Sequence, residues 1–217
     1  MGGVHFATPR SAARDLPFQN THANTGMAMS ENERRLFEIL RENSFQRGDF
    51  LLASGDRSNY YMDGKMTQVS PEGAYLIGEV IRERTADIAF DAIGGLEAGA
   101  IPLTTAAVIS YFHAGRKIEG FWVRDGEKKH GTKKLVEGRL KPGDRVVIVE
   151  DVVTRGNSAQ KAIVAVRAMG CEVVRVFAVV DRLQGAAKLY REMGIADYRR
   201  AFTIRDFGIE IADVSDA

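Results

Sequence analysis

Arg145-Val-Val-Ile-Val-Glu-Asp-Val-Val-Thr-Arg-Gly-Asn-Ser-Ala159 is the stretch on which the reading of this 217-residue chain turns. Four apolar residues, Val146 to Val149, run into the adjacent acids Glu150 and Asp151. A short loop, Thr154 to Ser158, then opens onto a helical pattern. This predicts a buried parallel strand with two carboxylates at its carboxyl end, followed by a tight turn into a helix. A helix start offers unpaired backbone amides and a positive dipole end, which suit a phosphate. Carboxylates beside such a cradle repel the ligand unless they grip hydroxyls or a divalent cation. Ribose 5-phosphate meets both demands. Acids at strand ends are common, so Glu150 and Asp151 alone would decide nothing; Thr-x-Gly-x-Ser at this offset, before an amphipathic helix, does.

The run Val147 to Ser158 resembles the phosphoribosyl pyrophosphate signature of the phosphoribosyltransferases. The resemblance implies that Glu150, Asp151, Val152, Val153, Thr154, Arg155, Gly156, Asn157 and Ser158 bind that substrate. In the helix that follows, Ala159, Ala162, Ile163, Val166 and Met169 recur at helical spacing up to Gly170 and read as core. Val173 to Val180 reads as the next strand, ending at Asp181-Arg182. Ala186 to Met193 reads as a helix, and Ala201 to Ile204 as a last short strand.

Towards the N-terminus, Ile118 to Val123 reads as a strand, and Arg124 to Gly138 as a basic, glycine-containing loop. Such a run is ordinarily a solvated surface loop, but a mobile loop between core strands also makes a catalytic lid. Ile88 to Ile93 reads as a strand that ends in the glycine-rich turn Gly94 to Pro102, with a helix to about His113. Ser70-Pro71 opens a helix with Tyr75, Leu76, Ile77, Val80 and Ile81 as its buried face. Ser30 with Glu33 forms a capping box for a helix carrying Leu36, Phe37, Ile39 and Leu40.

Three of these segments narrow the resemblance to the orotate phosphoribosyltransferases. Ser54-Gly55, Ser58, Tyr60-Tyr61 and Asp63 are similar to the family's hood over a flat pyrimidine. Arg124, Lys128 and His130 match its Arg-x-x-x-Lys-x-His-Gly loop, which closes over the neighbouring subunit's site. Arg182, in Val180-Asp-Arg-Leu-Gln-Gly185, matches its orotate-binding arginine. The resemblance therefore implies Lys128, Arg124, His130 and Asp151 as catalytic residues. It implies Lys129 as an added cation for pyrophosphate, and Thr154, Arg182, Tyr60 and Tyr61 as the orotate site. It also implies Mg²⁺ carried largely by substrate oxygens and water, with no dedicated protein metal ligands, and a homodimer in which loop 124–138 reaches across. Three positions depart from the family: Ala53 and Asp125 stand where many members carry lysine, and Gly99 where some do.

Composition sets the outer limits. A hydrophobic fraction of 45% and a charged fraction of 27% suit one soluble α/β domain. A net charge of +1 argues against a general nucleic-acid or membrane surface, so neither is expected as a partner. Cys171 is the single cysteine, which excludes an intramolecular disulfide and fits a reducing cytoplasm. No apolar run approaches the ~20 residues of a spanning helix. Residues 1–29 lack periodicity and read as a flexible extension; residues 30–217 read as the phosphoribosyltransferase domain, including the hood. The expected fold is α/β, a parallel sheet with helices on both faces and a small N-terminal hood. The expected reaction transfers ribose 5-phosphate from phosphoribosyl pyrophosphate to orotate, in pyrimidine biosynthesis. Against it stand a transferase for another base, a nucleotide-sensing RNA-binding regulator on the same fold, and a weakly active paralogue suggested by the three absent lysines.

Overall fold

The structure, a computed structural model, describes residues 29–51, 57–126 and 134–211. The chain runs α1 (Glu31–Asn43), β1 (Phe45–Leu51), β2 (Arg57–Met62), α2 (Gly64–Gln68), α3 (Pro71–Thr85), β3 (Ala92–Leu96) and α4 (Ala100–His113). It continues through β4 (Glu119–Val123), β5 (Val136–Gly138), β6 (Arg145–Val153), α5 (Asn157–Ala168), β7 (Glu172–Asp181), α6 (Ala186–Glu192) and β8 (Tyr198–Thr203). A six-stranded sheet takes the order β5-β4-β3-β6-β7-β8, all parallel except β5 at the edge. The hood is a separate antiparallel hairpin, β1 with β2.

The central strand has the predicted character. Val147 and Val149 enter the core shared with α1, α3 and α4, while Val146 and Ile148 enter the core shared with α5 and α6. Alternate side chains thus find apolar partners on both faces, which is why the sequence reads as an unbroken apolar run. Connections from β3 lead outward to β4, and those from β6 lead outward to β7 and β8 in the opposite direction. The strand order therefore reverses between β3 and β6. In open parallel sheets the crevice above such a switch point is where ligands bind.

Local signals place several ends well. The Ser30 hydroxyl accepts from Glu33 N (3.1 Å), and Glu33 Oε2 accepts from Ser30 N (2.9 Å), completing the capping box. Met29, next to it, packs half-buried against the core. Residues 1–28 of the expected extension lie outside the described residues.

Three expectations need correction. Ile88 belongs to the approach, and β3 begins at Ala92 and passes through Gly94 and Gly95 to Leu96. These glycines serve strand packing rather than a turn: a Cβ on Gly94 would lie 2.1 Å from Phe121 O, and one on Gly95 2.4 Å from Val149 O. Tyr75, expected in the buried face of α3, is 61% exposed. The far end of the 124–138 loop is not irregular; Val136–Gly138 pairs antiparallel with β4.

At the amino end of the sheet, Arg175 is 1% exposed. Its guanidinium holds Asp87 (2.6 and 3.0 Å), Asp197 (2.9 Å) and the carbonyl of Arg84 (2.6 Å). The register of β7 against β6 slips at Val174, which turns Arg175 towards this cluster. Asp87 is largely solvated, so losing Arg175 strands less charge than a fully buried pair would. Arg175→Ala should lower unfolding stability by about 3 kcal/mol through the lost pairing and the cavity. Arg175→Met, which keeps most of the volume, should cost less; urea denaturation of the two variants checks the order.

Candidate active site

At the carboxyl end of β6 the two acids diverge. Adjacent strand residues point to opposite faces, so Glu150 and Asp151 enter different surroundings. Asp151 turns towards α2: Gln68 Nε2 donates to its Oδ2 at 2.7 Å. Two glycines make room for it. A Cβ on Gly99 would lie 3.0 Å from Asp151 Oδ1, and one on Gly64 3.2 Å from Oδ2. Gly99 therefore lies directly against the second acid. Gln68 is itself buried, and its Oε1 has no partner among the described residues.

Glu150 turns the other way and is almost fully buried, with Oε1 unpartnered among the described residues. Burial, and then the neighbouring Asp151 charge, push its carboxyl up to about 8. Two adjacent carboxylates thus meet different surroundings, a side-chain donor for Asp151 and almost full burial for Glu150. Nothing in the amino-acid pair announces this; it follows from which face of the sheet each meets.

The loop after β6 has the geometry of an anion cradle. Gly156 adopts a left-handed conformation (φ 83°), and α5 starts at Asn157 with no side chain capping it. The first-turn amides of α5 have no partners within the helix and point the positive end of its dipole into the switch-point crevice. A side chain at Gly156 would be strained, and its Cβ would lie 2.8–2.9 Å from the Tyr190 ring and hydroxyl. Of the residues implied for phosphoribosyl pyrophosphate, Thr154, Arg155, Gly156, Asn157 and Ser158 belong to this turn and the start of α5. Val152 and Val153 do not offer their side chains: both pack into the core. The Val153 carbonyl instead accepts from Arg182 N at 2.9 Å, tying the end of β6 to the end of β7.

Arg182 extends from that tie towards the hood. Its guanidinium lies 4.8 Å over the Tyr60 ring, and its Nε donates to the Tyr60 hydroxyl at 2.8 Å. The turn beneath it is held by Asp181, which accepts from Leu183 N (2.7 Å) and from the Tyr198 hydroxyl (2.9 Å). Tyr60 and Arg182 are therefore brought together across the molecule. Tyr61 is not: it faces the other side of the hairpin, 43% exposed, with its ring packed on Phe50. Arg124 follows β4 and is half-buried, its Nη1 4.0 Å from Glu137 Oε1. Asp125 is tied to Lys161 on α5, and its N–H donates to Glu97 Oε1 (3.3 Å). Lys128, Lys129 and His130, like Ala53, lie outside the described residues.

Sequence reasoning passed over Gln68, Gly64 and Tyr190. Gln68 and Tyr190 sit in short helices where a polar or aromatic residue carries no signal of its own. Only contact with the acids and with Gly156 marks them.

No cluster of three or more metal-ligating residues occurs among the described residues. Asp151 and Glu150 nevertheless supply carboxylate oxygens, which suits a hard divalent cation carried in by the substrate.

Residues 68–193 match the family model for a phosphoribosyl transferase domain. The chain is 42% identical over 185 residues to the orotate phosphoribosyltransferase of Bradyrhizobium sp. strain ORS 278, covering 83% of this chain and 100% of that one. It is 42% identical to the same enzyme of Aquifex aeolicus, over 79% of this chain and 95% of that one. Among solved structures, Mycobacterium tuberculosis orotate phosphoribosyltransferase in complex with phosphoribosyl pyrophosphate superposes with a TM-score of 0.70 at 38% identity. That similarity covers 82% of this chain and 99% of the other.

Two measurements test the geometry. Gly156→Ala should cut the affinity for phosphoribosyl pyrophosphate at least ~10-fold, because strain and the Tyr190 contact both displace the cradle; titration calorimetry reads it. Glu150 binds its proton more tightly folded than unfolded, so its contribution is complete below about pH 4.5 and is lost as pH rises towards about 8. Glu150→Gln should therefore melt above wild type at pH 8, with the difference vanishing below pH 4.5.

Proposed function

Since the chain belongs to the orotate phosphoribosyltransferase family, we infer that it transfers ribose 5-phosphate from phosphoribosyl pyrophosphate to N1 of orotate. The products are orotidine 5′-monophosphate and pyrophosphate, and the reaction serves pyrimidine biosynthesis. One observation carries the reading onto this chain's own residues. The phosphate turn after β6, the acid pair beside it and the Arg182–Tyr60 pair after β7 share one end of the sheet at its switch point.

In the proposed mechanism the 5′-phosphate rests on the amides and hydroxyls of Thr154 to Ser158. Asp151 and Glu150 hold the ribose hydroxyls. As the bond from C1 to pyrophosphate breaks, positive charge develops on the sugar and a negative field beside it lowers the barrier. Gln68 keeps Asp151 aimed by occupying one of its oxygens. Asp151 and Glu150 would be the residues to hold Mg²⁺ carried by the substrate, which would supply neutralisation of the phosphate oxygens. Arg124, Lys128, Lys129 and His130 meet the departing pyrophosphate, Lys128 most directly. Arg182 pairs with the carboxylate that distinguishes orotate from uracil, its plane held by Tyr60.

We assign the enzyme a homodimeric form in which loop 124–138 reaches the neighbouring site. A groove of about 440 Å³ between α3 and α4, lined by Tyr75, Pro102, Ala106 and Ile109, supports this. Tyr75, Ile109 and Phe112 are exposed apolar residues on those two helices, the kind of surface that suits an interaction site. Gln68 also lines the groove while bonded to Asp151, so a second copy seated there would adjoin the site. The reaction is placed in the cytoplasm, where the free, buried Cys171 would stay reduced. Among the described residues no helix is long and apolar enough to cross a membrane.

The test is the loss of orotate absorbance on adding phosphoribosyl pyrophosphate and Mg²⁺. Wild type should turn over orotate and not uracil. Lys128→Ala should be slower by about 10²–10³, the size expected when a charge-stabilising donor is removed. Absence of orotate consumption by folded protein would overturn the substrate, whereas a Lys128→Ala variant as fast as wild type would remove that lysine from the mechanism.

A further inference from the structure

The residue before the base-side arginine is a carboxylate buried where packing would ordinarily place a hydrocarbon. Asp181 ends β7, lies between β6 and β8 in the sheet, and is 1% exposed. The mechanism above gives it no role. Alternation along the chain sends its side chain to the face where Tyr198 packs, and Arg182 to the face where Tyr60 packs.

A buried carboxylate is kept at a cost unless its oxygens are used, and Asp181 divides its two. Oδ2 accepts from the Tyr198 hydroxyl (2.9 Å) and from Arg200 Nη1 (3.3 Å), both on β8. Oδ1 accepts from the backbone N–H of Leu183 at 2.7 Å. Tyr198 is itself fixed, its ring edge-on to Tyr190 with centroids 5.0 Å apart. The carboxylate is thus braced from the neighbouring strand through one oxygen and spent on the turn through the other.

Leu183 is the reason the turn needs holding. With φ 55° it is the one non-glycine residue at positive φ among the described residues. Leucine takes this conformation at a steric cost that glycine avoids, so its surroundings must impose it. The same hydrogen bond completes a clamp on Arg182. The Arg182 N–H donates to the Val153 carbonyl (2.9 Å), and the next N–H, of Leu183, donates to Asp181. Both peptide units that flank the arginine's α-carbon are therefore tied. Its side chain crosses to Tyr60, where the hydroxyl occupies Nε. The two terminal nitrogens carry no hydrogen bond among the described residues, which leaves the end of the guanidinium as a fork for a carboxylate.

We propose that Asp181 is a positioning residue for base recognition: by fixing the left-handed turn at Leu183 it sets the backbone of Arg182, and so aims the free end of the guanidinium at the carboxylate of the incoming pyrimidine. The proposal rests on the reading of Arg182 as the orotate-pairing residue. A two-pronged pair depends on where both prongs stand, so a small shift of the arginine's backbone is felt at the base. Tyr198 and Arg200 are thereby joined to base recognition through the carboxylate they brace.

The experiment is a double-mutant cycle of Asp181→Ala and Arg182→Ala, read as kcat and as KM for orotate and for phosphoribosyl pyrophosphate, with thermal melting alongside. Asp181→Ala should raise the orotate KM about 10-fold, the size of one hydrogen bond to a charged group, and leave the phosphoribosyl pyrophosphate KM within about 2-fold of wild type. It should add nothing further to Arg182→Ala. Asp181→Asn, whose side-chain oxygen still accepts from the Leu183 N–H, should return the orotate KM to within about 3-fold of wild type. If Asp181→Ala does not fold, Tyr198→Phe reads the same link: it keeps the ring, removes one donor to the carboxylate, and should raise the orotate KM about 3-fold. A wild-type orotate KM in folded Asp181→Ala, or in Tyr198→Phe in its place, would overturn the proposal whatever the melting temperature. Equal losses for both substrates, or an equal loss in the Arg182→Ala background, would overturn it as well. Wild type that consumes no orotate, or Arg182→Ala with an unchanged orotate KM, defeats the reading of Arg182 and the proposal with it. A loss in Arg182→Ala that Asp181→Ala does not share defeats the proposal alone.

Discussion

Two adjacent carboxylates at the end of a strand cannot share an environment, and the site depends on that constraint. The pleat sends Asp151 to the α2 side of the sheet and Glu150 to the α5–α6 side. Asp151 finds a donor in Gln68 and space beside Gly64 and Gly99. Glu150 is almost fully buried, its Oε1 without a partner among the described residues. Burial holds the Glu150 carboxyl close to neutrality until something draws its proton away. A sugar that develops positive charge during reaction is the kind of ligand that would do so.

The surrounding architecture keeps this pair in register with the rest of the site. Parallel pairing of β6 with β7 carries on to Val153 and Asp181, and the Val153 carbonyl then takes the Arg182 amide. The phosphate turn and the base-side arginine are consequently fixed to each other by backbone, over a distance of a single strand spacing. The hood is joined to this frame by side chains, through the stack and hydrogen bond between Tyr60 and Arg182. Backbone ties hold the parts that must stay constant through the reaction; a side-chain tie holds the part over the base. The buried Arg175 cluster secures the opposite end of β7, away from the chemistry.

Much of this was legible in the chain. Val146 to Val149 had to be a strand buried on both faces, because no amphipathic period runs through it, and the Gly156 turn had to follow because a helical pattern begins at once. Ser30 with Glu33 announced a helix start that the structure reproduces atom for atom. The resemblance carried by Arg182 and the hood tyrosines led to the right family. Other positions resisted. Gly94 and Gly95 read as a turn because glycine is a turn residue, and the strand passes through them only since β4 and β6 press so near. Tyr75 read as core because it lies beside the apolar period of α3, and periodicity does not say how far round a helix its neighbours reach.

Local chemistry and spacing, which act within a dozen residues, were enough to determine the strand–turn–helix cradle and the order of elements, and the resemblance carried by the motifs added the reaction class. They could not separate Tyr60 from Tyr61, Glu150 from Asp151, or mark Gln68 and Tyr190. Each of those distinctions depends on which face of a strand or helix meets which neighbour, and the neighbours lie up to 122 residues apart, as Tyr60 and Arg182 do. Desolvation and hydrogen-bond partnership are properties of the packed chain. Only the tertiary structure decides them, because only there do the two sides of one strand become different solvents.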